Sequence, residues 1–182
     1  IYGLPDGEYT LAETGGEFTS NGVVYKVTDS TVTFAIVNGE IKADTITTDE
    51  AKTEADSTAT DSYYIYNSTT DQNLITVANA EKLTTVKISK VEINESEEIG
   101  GAHLQILDKD GNVVHEWDSV AGEQKEFELP AGEYTLKETI SPEGYVLADE
   151  IDFTVKDGIV EGTTDNVVKM EDDYTKLTIS KK

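Results

Sequence analysis

The sequence contains no cysteine and no arginine: its 14 basic residues are all lysine, against 37 Asp and Glu, for a formal net charge of -23 over 182 residues. Without cysteine there is no disulfide, no thiolate metal site and no cysteine nucleophile. A strongly negative chain without arginine is excluded as a nucleic-acid binder, because that affinity comes from neutralising phosphates with Lys and Arg. An anionic membrane surface is excluded on the same ground. Histidine is limited to His103 and His115, in no HExxH arrangement, so neither a metal nor a cofactor is expected. No apolar run approaches the roughly 20 residues that span a bilayer, and Ile1–Gly7 is not a signal peptide. The chain is expected to be soluble, or a soluble piece of something anchored elsewhere, with no membrane insertion in this segment.

Hydrophobic residues make up 37% and charged residues 28%, which suits a folded chain with a modest core and not a disordered one. The 24 threonines and nine tyrosines, with Val and Ile, fit pleated, half-buried surfaces. The expected class is all-β, with short strands at the spacing of an immunoglobulin-like β-sandwich. Alternating segments between turn signals predict strands at Leu83–Ile93, Ala102–Asp108, Val113–Asp118, Lys125–Leu129, Glu133–Thr139, Tyr145–Val155 and Val167–Glu171. Asp108–Asn112 has alternating carboxylates, but a calcium loop needs Gly where Val113 stands and a Glu at its twelfth position, so it reads as a hairpin turn.

Two internal repeats set the organisation. Leu4-Pro5-Asp6-Gly7-Glu8-Tyr9-Thr10-Leu11-Ala12-Glu13-Thr14 recurs as Leu129-Pro130-Ala131-Gly132-Glu133-Tyr134-Thr135-Leu136-Lys137-Glu138-Thr139, identical at nine of eleven positions. Lys82-Leu83-Thr84-Thr85-Val86-Lys87-Ile88-Ser89-Lys90 recurs, shortened, as Lys176-Leu177-Thr178-Ile179-Ser180-Lys181. These repeats predict one complete domain at 83–174, the later part of a similar domain at 1–82, and the opening strand of a following one at 175–182. The chain thus reads as a stretch of a longer tandem array. The leading part carries a polar insertion, 43–61, expected to be a mobile surface loop. Ser62–Tyr66 reads as a strand with a Tyr face rather than an exposed binding strip. Asn67-Ser68-Thr69 and Asn94-Glu95-Ser96 have the form of glycosylation acceptors, and carry little weight because the motif is short.

Every second residue of a strand shares one face. Val86 and Ile88 share theirs with Lys90, Tyr134 and Leu136 with Glu138, and Val168 and Met170 with Asp172. Each apolar face therefore ends in one ionisable group. One reading is a strand end opening to water. The other is burial, where ionised groups cost several kcal/mol each and are driven toward a neutral amine and protonated carboxyls, which are a nucleophile and a carbonyl-polarising acid. The same phase places Glu13 with Tyr9 and Leu11, Asn79 with Ile75 and Val77, and Lys181 with Leu177 and Ile179.

Lys87-Ile88-Ser89-Lys90, Gly101-Ala102-His103-Leu104, the Leu129–Thr139 box with Ser141-Pro142-Glu143-Gly144-Tyr145, and Met170-Glu171-Asp172-Asp173-Tyr174 resemble the B-type (Cna B-type) repeat domain of Gram-positive collagen adhesins and pilins, the prealbumin-like pilin fold. The resemblance spans 83–174. It implies a self-formed isopeptide bond with Lys90 as amine, Asp172 as acceptor and Glu138 as the catalytic proton shuttle, with Lys87 the competing lysine, which strand alternation places on the solvent side. In 1–82 it implies Glu13 as the equivalent glutamate and Asn79 in the acceptor strand, with no partner lysine in that fragment. Lys181 would be the amine of the next domain. The leading part departs from the family pattern in its Gly15-Gly16 and its long insertion. Leu11–Gly15 also outlines a variant sorting signal, but no apolar tail follows and the box explains it better.

The resemblance implies a structural stalk or shaft module of a pilus or wall-anchored surface protein, outside a Gram-positive cell, whose partners are neighbouring domains or pilin subunits. The alternative is an adhesin module binding a host or matrix protein through 43–61 or Tyr63–Tyr66. A glycosidase built on Glu138 and Asp172 is disfavoured: there is no aromatic sugar cleft, and Lys90 has no part in such chemistry. A single self-cross-linking event is not enzyme turnover, so no enzyme is expected.

Overall fold

The computed structural model describes residues 3–47, 51–52, 59, 61–66, 74–94 and 96–175. Lys181 and Asn67–Thr69 lie outside the described residues. The chain divides into two compact units, Ile1–Lys82 and Leu83–Lys182. Among the described residues the regular structure is strand apart from one 3-10 turn, Ala43–Thr45, and no helix is long and apolar enough to cross a membrane.

In the first unit β1 (Gly7–Ala12) precedes a hairpin of β2 (Phe18–Ser20) and β3 (Val23–Tyr25). This hairpin turns on Asn21 and Gly22, both at positive φ (53° and 84°), as a two-residue turn matching strand twist requires. β4 (Thr31–Val37) pairs antiparallel with β1 and with β5 (Glu40–Ile41). β6 (Ala51–Lys52) runs parallel to β7 (Tyr63–Tyr66), which pairs antiparallel with β8 (Ile75–Ala78). Described residues of the 43–61 insertion take part in strand pairing. The start of the insertion is pinned by two backbone hydrogen bonds between Thr33 and Thr47, and Ala51–Lys52 adds to a sheet. Ladder hydrogen bonds outweigh the polar composition there. Tyr63 and Tyr64 are buried, and the Tyr64 hydroxyl donates to the Ser30 carbonyl at 2.9 Å.

The second unit is a two-layer sandwich. β9 (Thr84–Glu92) lies between β12 (Lys125–Leu129), antiparallel, and β16 (Val167–Asp172), parallel. The facing sheet runs β11 (Val113–Asp118), β10 (His103–Asp108), β13 (Gly132–Ile140), β14 (Ile151–Lys156) and β15 (Ile159–Val160). Val86, Ile88, Val168 and Met170 from one layer meet Leu104, Ile106, Leu136 and Val155 from the other, each such burial contributing roughly 1.5 to 3 kcal/mol. The Asp108 carboxylate accepts the Asp110 and Asn112 N–H groups at 2.9 Å each, which makes the β10–β11 connection a side-chain-braced hairpin.

One strand expectation needs correction, and one strand is additional. β14 begins at Ile151, not at Tyr145. The Tyr145–Glu150 stretch spends its backbone donors elsewhere: Val146 N–H on the Asp173 carbonyl and Ala148 N–H on the Glu138 carboxylate. β15 was not foreseen, because two residues carry no readable alternation.

Candidate functional site

Register explains how residues distant in sequence converge. Lys90 pairs with Met170 and Asp172 with Glu92 in the parallel β9–β16 ladder, so the acceptor carboxyl lies two residues beyond the lysine. At about 3.3 Å per residue that offset matches an extended four-carbon lysine stem. β13 crosses from the facing layer and ends its inward face at Glu138. Lys90, Glu138 and Asp172 are 2%, 2% and 0% exposed.

Within this cluster Lys90 Nζ donates to Asp172 Oδ1 and lies 3.0 Å from Glu138 Oε1. Glu138 Oε2 accepts the Ala148 N–H at 2.7 Å, which fixes the carboxyl plane. Burial pushes the Asp172 carboxyl above the usual range; Lys90 pulls it down, and the neighbouring Glu138 pushes it up again. Two carboxylates around one ammonium would leave a buried net negative charge. A proton on Asp172 removes it.

The structure brings Lys90, Glu138 and Asp172 together. Lys87 points away from the cluster, with its Nζ 3.9 Å from Glu126 at the surface. Ser89, which strand alternation puts on the Lys87 side of β9, is buried, because the segment before β10 covers it and its hydroxyl donates to Glu98 at 2.6 Å. Neither Glu98 nor the Ala148 N–H was visible in sequence: both belong to irregular segments without period.

The repeated boxes build the same local structure. Tyr134 donates its hydroxyl to the Pro130 carbonyl at 3.0 Å and stacks on Phe153 across the ladder. Tyr9 donates to Pro5 at 2.7 Å and stacks on Phe34. Glu13, at the position matching Glu138, accepts the Thr28 N–H at 2.8 Å, and the Asn79 amide nitrogen lies 2.8 and 2.9 Å from its two oxygens. The Lys26, Lys42 and Lys82 amines of this unit pair with Asp61, Glu40 and Glu17.

Residues 84–168 match the model of the SpaA prealbumin-like fold domain. This segment is similar to that family. No curated protein matches the chain. Among solved structures, the chain is similar to the pilus-presented adhesin Spy0125 (Cpa), at 36% identity over 42% of this chain and 18% of that one, with a TM-score of 0.38. A variant of BcpA, the major pilin subunit of Bacillus cereus, is 34% identical over 51% of this chain and 29% of its own, with a TM-score of 0.40. A C-terminal fragment of the pilus adhesin SpaC from Lactobacillus rhamnosus GG is 17% identical over 98% of this chain and 80% of its own, with a TM-score of 0.46. The chain spans less than a third of the length of the first two.

Proposed function

We propose that the chain is a load-bearing segment of a pilus or wall-anchored surface protein outside a Gram-positive cell, and that its second unit locks itself with a Lys90–Asp172 isopeptide bond. The observation that carries this reading is the water-excluded cluster joining the first and last strands of the sandwich. Glu138 takes a proton from the Lys90 ammonium. The neutral amine attacks Cγ of protonated Asp172, and the C–N bond forms as the C–OH bond breaks. The proton held on Glu138 is relayed to the departing hydroxyl while the nitrogen's remaining excess proton returns to Glu138. One water leaves, and Glu138 ends protonated. The step replaces a buried ammonium and a buried carboxyl with a neutral amide, which removes their desolvation cost.

Intact-mass measurement of the purified chain is expected to find it lighter by one water, and a full mass would overturn the reading. The stalk role is preferred to the adhesin role because Tyr63 and Tyr64 are buried and offer no ligand-facing strip. Neighbouring domains or pilin subunits are the partners this role requires.

The first unit extends the proposal. Glu13 holds the Asn79 amide as Glu138 faces Asp172, so a lysine strand added beside Asn79 would complete the cluster and expel ammonia in place of water. The donor in this reading is a segment outside 1–82, including the Lys181 strand of a neighbouring chain. A denaturing gel of concentrated protein is expected to show heat-stable multimers that disappear in Asn79→Ala and Lys181→Ala. A single monomer band would reject the neighbouring-chain donor.

A further inference from the structure

β9 is flanked by two strands over only part of its length. Its antiparallel partner β12 starts at Lys125, opposite Ile88, so on that side the ladder stops two residues short of Lys90. A backbone N–H left without an acceptor in a buried strand is costly and leaves the strand free to twist, at the residue whose side chain must meet two carboxyls.

The segment between β9 and β10 takes over where β12 ends. Glu98 forms an isolated antiparallel bridge with Val91, and the Ile99 N–H donates to the Lys90 carbonyl at 2.8 Å. The Glu98 carboxylate supplies what the missing strand would have supplied: its Oε2 accepts the Lys90 N–H and its Oε1 the Ser89 hydroxyl, each at 2.6 Å. Both Lys90 backbone groups therefore bond to this short strap. The strap is clamped from behind, since Gly122 N–H donates to the Glu98 carbonyl at 2.9 Å and Gly101 N–H to the Ser119 carbonyl at 3.0 Å. Gly100 permits that approach, because a Cβ there would lie 2.7 Å from the Ala121 nitrogen.

We infer that Glu98 is a positioning residue for bond formation at Lys90: it acts on the lysine's backbone and sets where the amine stands relative to Asp172 and Glu138. The inference rests on the Lys90–Asp172 reading above. Charge-assisted acceptance at 2.6 Å is the stronger kind of hydrogen bond. A displacement of about 1 Å at a reacting group costs up to a hundredfold in rate, so loss of this anchor is expected to slow cross-linking by roughly ten- to a hundredfold.

The test follows the full chain by intact mass from isolation onward, at a temperature well below melting. Wild type should isolate wholly lighter by one water. Glu98→Ala should isolate as a mixture and lose the water over hours. Glu98→Gln, which keeps a carbonyl acceptor for the Lys90 N–H, should restore most of the rate. Ser89→Ala should isolate fully linked, because the Glu98 contact to Lys90 survives. Ile106→Val, a core change that lowers stability without touching the strap, separates positioning from general destabilisation and should also isolate fully linked. If Glu98→Ala does not fold, the contrast between Glu98→Gln and Glu98→Asp, whose carboxylate is one methylene too short, carries the same test. Complete linkage of Glu98→Ala in a wild type that is itself linked would overturn this inference alone. Equal slowing in Ile106→Val would overturn it as well. A full-mass wild type would overturn the underlying reading and this inference with it.

Discussion

Replacing Asp172 with alanine is expected to lower the melting temperature of the second unit by roughly 20 to 35 °C. Lys90 and Asp172 are 82 positions apart, and closing a loop of that size stabilises by about 4 to 5 kcal/mol on the chain-entropy model for cross-links. For a domain of this size each kcal/mol moves the midpoint by about 4 to 8 °C. The companion substitution Asp172→Asn separates a covalent clamp from an ordinary buried ion pair. An asparagine acceptor yields the same amide with ammonia as leaving group, so the linked variant should match the wild type in both mass and melting temperature. A mere ion pair would instead lose about 3 to 5 kcal/mol in that variant, because the buried lysine would lose a charge partner. Calorimetry and intact mass on the three proteins decide it. An asparagine variant that keeps its full mass and melts as low as the alanine variant would reject the bond.

The second large effect is mechanical. When the chain is pulled from points outside Lys90 and Asp172, force enters β9 and leaves β16, which are hydrogen-bonded neighbours. A bond between them makes the enclosed 82 positions, about 270 to 300 Å of contour at roughly 3.3 to 3.6 Å per residue, unavailable for extension. Single-molecule pulling of wild type should show no lengthening of that size from the second unit at any force that spares covalent bonds. Glu138→Ala, which keeps both amine and acceptor but removes the proton shuttle, should release the full length and keep the full mass. Release of 270 to 300 Å by the wild type would show that the strands are not joined. In a chain without cysteine, such a clamp would also resist reductants.

Part of this organisation was legible because strand periodicity is local. The alternation that ends three apolar faces in Lys90, Glu138 and Asp172 depends only on Cβ direction along each strand, and the structure buries all three. The repeated box was legible for a similar reason. Its tyrosine reaches back only four residues, to Pro130 in one copy and Pro5 in the other, so the motif carries its own geometry. The boundary of β14 was not legible, since Tyr145–Glu150 has strand-like composition and is diverted by hydrogen bonds to Glu138 and Asp173, residues outside any local window. The burial of Ser89 was not legible for the same kind of reason: alternation assigns its face, but a strap from another part of the chain decides whether that face meets water.

By itself, then, the sequence determined the all-β class, the lack of thiol chemistry and the faces on which the amine and the two carboxyls sit, because each follows from composition or from a period of two. Only the tertiary structure decided that β16 lies parallel beside β9 with its carboxyl two residues ahead of the lysine, that β13 closes over both, and that Glu98 takes the place of a missing strand at Lys90. Pairing partners and register are set by the packing of whole layers and by where each polar backbone group finds its partner, and those are properties of the assembled sandwich, not of any one strand.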